Sequence, residues 1–89
     1  MADKVGMDPQ AARALATQMD NSASSMQTTV DALIAKLEHT GWAGDDRRRF
    51  EDQLRNTHRA RMVTTVRALR EAAADVRRHA ADQVRISGR

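Results

Sequence analysis

The chain has no cysteine and no tyrosine, and only one proline, one tryptophan and one phenylalanine in 89 residues. Without cysteine there is no disulfide framework, thiolate metal site or thiol nucleophile. Much of the 40% hydrophobic content is alanine, so large core-forming side chains are scarce. No apolar run approaches the roughly 20 residues of a membrane span. The opening MADKVGMDPQ lacks the apolar stretch of a signal peptide. The expectation is therefore synthesis in the cytoplasm, with any export proceeding without a cleaved signal. There is no glycine-rich phosphate loop, and no glycine elbow surrounds a serine. Nothing in the sequence points to an enzyme, and no cofactor or metal is expected.

What is present is charge and helical periodicity. Eighty-nine residues make one small domain, a size that buries too small a share of its surface to be generously stable alone. Residues 1–44 carry three basic and five acidic side chains, and residues 45–89 carry twelve and seven. A basic second half invites a nucleic-acid or acidic-partner reading.

Asp8 before Pro9 is a helix start, because the carboxylate accepts from free first-turn amides and proline loses no bond there. Ala12, Leu15, Met19, Ala23, Met26, Val30, Leu33 and Leu37 then recur at steps of three and four. Gly41 is the expected stop, in the left-handed conformation, with His39 at the carbonyl end. Helix one is predicted over about 8–40 and the turn over 41–45. Helix two, over about 46–85, opens on Asp45 and Asp46 as its cap and first-turn charge. It carries Phe50, Leu54, Met62, Val66, Leu69, Ala73, Val76, Ala80 and Val84, with a break in phase around His58. Residues 1–7 and 86–89 are predicted to be flexible tails. The fold class is all-α, an antiparallel two-helix hairpin roughly 45 to 55 Å long. Its half-covered seam closes if two hairpins pair into a four-helix bundle. The predicted bundle core is Leu15, Met19, Met26, Val30, Leu33, Leu37, Phe50, Leu54, Met62, Val66, Leu69 and Val76.

Trp42-Ala43-Gly44 lies near the midpoint between two long amphipathic segments, and Phe50 follows the tryptophan by eight residues. Together these make the chain resemble the WXG (Trp-x-Gly) superfamily of small helical-hairpin proteins of type VII secretion, over essentially its whole length. An indole in the turn can cover the open end of a bundle. Gly44 permits a backbone geometry or close approach that a β-carbon obstructs. The resemblance implies that Trp42 and Gly44 shape the end read by the export machinery, including a secretion ATPase. It also implies a partner: another WXG-like hairpin or the helical amino-terminal domain of a larger exported protein. The +3 net charge favours a heterodimer with a more acidic hairpin over a homodimer. The family's Tyr-x-x-x-Asp/Glu export signal is missing, since the chain has no tyrosine. Either the partner carries that signal, or this chain is a targeting factor for a larger substrate.

Two other chemistries have partial signatures in the sequence. His79, with Asp75 four residues before it and Asp82 three after, shares a helical face that could hold a metal, but exposed side-chain pairs explain it better. DDRRRFED and the later arginines could form an arginine-rich helical nucleic-acid binder, the alternative function. Against it, acids interleave with bases in that run, the remaining arginines surround the helix, and stacking aromatics are absent.

Overall fold

The computed structural model describes residues 7–87. All the regular structure described is helical: α1 (Pro9–Glu38), α2 (Asp45–Gln53), a wide π-helical turn (Leu54–His58) and α3 (Arg59–Ser87). The last three run end to end as one helix, 45–87, which lies antiparallel against α1. Glu38 meets Arg55 beside the bend at 2.9 Å, while Asp20 meets Arg77 far from it at 2.8 Å. The molecule is a rod of 66 × 20 × 18 Å. Its length exceeds the expected 45 to 55 Å because the second helix is one unbroken run, and nine, five and 29 residues at about 1.5 Å each span about 65 Å. The radius of gyration is 19.8 Å, against about 12 Å for a compact domain of this length.

Each helix end has a local cause. Pro9 opens α1, and the Gln10 N–H donates to Asp8 Oδ1 at 3.0 Å, as the sequence predicts. α1 ends two residues short of Thr40 because its last turn tightens. The His39 and Thr40 amides donate to the Lys36 and Leu37 carbonyls at 3.0 and 3.4 Å, and the Thr40 hydroxyl donates to the Leu37 carbonyl at 2.9 Å. Gly41, at φ +78°, reverses the chain beyond that turn. The second helix is capped by Gly44, not by an aspartate. No side chain bonds its free amides, and Asp45 and Asp46 sit inside the first turn, where their charge suits the dipole. Of the expected tails, residues 1–6 and 88–89 lie outside the described residues, whereas Ile86 and Ser87 are helical.

The seam between the helices is built mainly of alanine. Ala16, Ala23, Ala73 and Ala80 are fully buried, with Ala12 close behind, and the larger buried residues are Ile34, Leu37, Met62 and Val66. None of the larger side chains described is completely enclosed. Small seam residues let two helices approach towards the near end of the 8–10 Å range of interaxial distances.

The wide turn explains the break in phase around His58. The Arg59 amide reaches back five residues to the Leu54 carbonyl, so the turn absorbs one extra residue. Eight α-helical residues would leave Leu54 about 80° away from Met62, and absorbing one reduces the offset to about 20°. Leu54 thus returns to the seam, Phe50 falls beside it, and Arg55 reaches Glu38.

Two predictions follow from this packing. Replacing fully buried Ala73 with leucine should push the helices apart and cost about 1 to 3 kcal/mol, read as a lowered midpoint of thermal unfolding by circular dichroism. Deleting Asn56 should convert the wide turn to plain α-helix and leave Leu54 within about 20° of Met62, because seven α-helical residues then separate the two. The deletion should therefore unfold within about 1 kcal/mol of an Asn56→Ala control, read by urea denaturation. A loss of about 2 kcal/mol or more in the deletion would refute the phase argument.

Candidate functional site

The seam has two unlike flanks, and helical geometry sorts the residues between them. A residue immediately before a seam position turns to one side and a residue immediately after it to the other, about 100° each way. Leu15, Ser22, Leu33, Lys36, Arg61 and Thr65 precede seam residues, whereas Ser24, Val63, Arg67 and Ala74 follow them.

The second flank is closed by polar contacts across the seam. Arg55 pairs with Glu38 at 2.9 Å, Arg59 with Asp31 at 3.5 Å, and Arg77 and Arg70 with Asp20 at 2.8 and 3.9 Å. Arg70 also donates to Ser24 Oγ at 3.1 Å. Near the bend the network extends inward, with Glu51 bridging Arg47 at 3.0 Å and Arg55 at 2.8 Å. All three acids within α1 therefore face arginines of the second helix on this side, Arg55 in the wide turn and the others in α3. A shallow groove of about 460 Å³ along it is floored by Met62, Val63 and Val66 and rimmed by Arg67, Arg70 and Glu71.

The first flank is open and apolar. Leu15 and Leu33 are 51% and 52% exposed, although spacing alone predicts them in the core. They sit at the edge of the stripe, which α3 does not reach. Of the remaining expected core, Leu37, Met62 and Val66 are buried, whereas Met19, Met26, Val30, Leu54, Leu69 and Val76 are half-buried. Two grooves follow this flank. Met26, Thr29, Val30 and Met62 line one, and Leu33, Lys36, Leu37, Phe50 and Leu54 line the other towards the bend. Ile34 and Ala16, both buried, were missing from the expected core.

At the bend the Trp42 and Phe50 rings lie 5.7 Å apart, tilted by 37°, and are 45% and 43% exposed. The pair prolongs the apolar flank around the end of the rod. Trp42 is held through its backbone, whose N–H donates to Thr40 Oγ1 at 3.4 Å. Gly44 has φ +103°, and nothing lies within 4 Å of where its β-carbon would be. The glycine is there for its backbone conformation and not for close approach.

The other candidates resolve into side-chain pairs. His79 Nδ1 lies 3.0 Å from the Asp75 carbonyl oxygen, while the Asp75 and Asp82 carboxylates accept from Arg78 and Arg85. No group of potential ligands able to hold a metal occurs among the described residues. In DDRRRFED, Asp45 takes Arg48 at 2.7 Å and Asp46 takes Arg49 at 2.6 Å. The described cations without a partner are Arg13, Lys36, Arg61 and Arg67, and they form no stripe. No described helix is long and apolar enough to cross a membrane. The chain matches no family model, no curated protein and no solved structure.

The ion-paired flank should respond to salt. Asp20→Asn should cost about 0.5 to 1 kcal/mol in urea denaturation at low ionic strength, a modest figure because Asp20 and its arginines are partly exposed. The difference should shrink in concentrated NaCl. Asp52→Asn, which removes an acid with no ion pair among the described residues, should change little.

Proposed function

We propose that this chain is a non-enzymatic, WXG-like secretion protein that works by pairing, through its open apolar flank, with a second helical hairpin to form a four-helix bundle. In this reading the pair is exported by a type VII system, or the chain acts as targeting partner for a larger exported protein. One observation carries the reading: Leu15, Leu33, Phe50 and Trp42, all half-exposed, continue one another along a single flank and around the bend. The accessible surface, 6544 Å², exceeds by roughly a quarter the ~5200 Å² typical of a compact monomer of this mass. A stable interface removes about 800 Å² from each partner, which a face this long can supply. Trp42 and Gly44 then form the exposed end of the complex offered to the export machinery, with the tail signal on the partner chain.

The nucleic-acid reading finds no support in the placement of the arginines. Nine of them bond to acids within the chain.

The test is Trp42→Ala. The ring is nearly half-exposed and its aromatic neighbour is Phe50, itself 43% exposed, so the variant should keep its helicity and its partner while secretion of the complex falls sharply. The readouts are circular dichroism, co-purification, and partition between cells and culture medium. Unchanged secretion by a folded, paired variant would sink the export role.

A further inference from the structure

We infer that the open flank is built for a non-identical hairpin carrying a carboxylate on each outer margin, and against a second copy of this chain. The inference rests on the pairing reading above and names the partner's chemistry. Between Leu15 and the bend, the flank and its margins hold no free carboxylate: Asp75, one residue before half-buried Val76, is taken by Arg78. Asp20, Asp31 and Glu38 all turn to the opposite flank, where Arg55 of the wide turn and α3 arginines occupy them. The margins instead carry Lys36 on α1 and Arg61 on α3, each one residue before a seam position and neither with an ion-pair partner among the described residues. Lys36 also lines the groove floored by Leu33, Phe50 and Leu54. The Asp31–Arg59 contact sets Arg61 near the level of Val30, so both cations fall on the bend-proximal half of the rod.

Carboxylates at the ends of this flank are already engaged. Asp8 accepts from the Gln10 amide and Asp46 from Arg49. A second copy docked in parallel sets cation against cation on both margins. Docked antiparallel, it offers the far half of the flank, where Ser22 and His79 precede seam positions and no free acid stands. Either way the desolvated margin keeps uncompensated positive charge, which disfavours the self-pair and leaves an acid-margined partner preferred.

The chain itself supplies the probe. In the double variant Lys36→Glu/Arg61→Glu the margin charge is reversed at two exposed positions. Mixed with the unaltered chain at low salt, it should form a 1:1 complex at least about tenfold tighter than either chain forms alone, with the gap closing as salt rises. Sedimentation equilibrium with one species labelled reads this directly. Leu33→Asp in either component should abolish the complex, which assigns it to the open flank. A neutral variant, Lys36→Gln/Arg61→Gln, should self-associate more tightly than the unaltered chain, giving a second readout should the reversed variant fold poorly. If the unaltered chain pairs with itself as tightly as with the reversed variant, the partner inference is overturned while the pairing reading survives. If no combination associates at concentrations near 100 µM, a weak regime for any specific interface, both fall.

Discussion

The contact between the two helices is made largely by alanine, and the behaviour of the rest of the molecule depends on that. A buried methyl removes little apolar surface, on the order of 0.8 kcal/mol per CH₂-sized group, and the larger side chains that are buried are Ile34, Leu37, Met62 and Val66, with Met26, Val30 and Leu69 packed half-buried beside them. All four lie in the bend-proximal half. The distal half is closed by Ala12, Ala16, Ala23, Ala73 and Ala80, with exposed ion pairs beside them that contribute little each. An alanine seam is well suited to holding two helices close and poorly suited to holding them alone. The larger side chains on the same stripe are displaced to its edge, where only another molecule can cover them.

The wide turn at Leu54–His58 follows from the same constraint. Close helices demand a continuous stripe, because a large residue out of phase has no seam to enter and a small one leaves a gap. The spacing from Leu54 to Met62 does not fit a straight helix. One residue absorbed in the turn returns Leu54 to the seam, and with it come Phe50 on the open flank and Arg55 on the ion-paired one. The aromatic bend therefore owes its orientation to a local irregularity about twelve residues away from Trp42.

This is also where reading the sequence reached its limit. The Asp8–Pro9 start, the midpoint bend and the two long helices were legible because capping, left-handed glycine and apolar spacing are local signals. The phase break at His58 was visible too, but spacing alone does not say whether a helix bridges such a gap by widening, kinking or leaving it. Leu15 and Leu33 belong to the predicted stripe and yet are half-exposed. Periodicity defines a stripe more than 100° wide without saying which edge meets the sister helix. That choice was made by side-chain size and charge together, since alanines let the helices close on one line and Asp20, Asp31 and Glu38 drew the arginines of the second helix to one side of it. Ile34 was missed because it stands on the far side of that line from Leu33.

The asymmetry between flanks has a consequence for assembly. A rod with apolar surface on both sides of its seam would present two sticky faces, and copies could add without end. Here cross-helix ion pairs line one side, at the modest stabilisation typical of exposed pairs, confine its apolar surface to the short Met62–Val63–Val66 groove, and leave the other flank as the one long apolar face. With one such face a rod accepts one partner and the assembly closes at two hairpins. The ion pairs matter less for the energy they contribute to the hairpin than for the surface they withdraw from association.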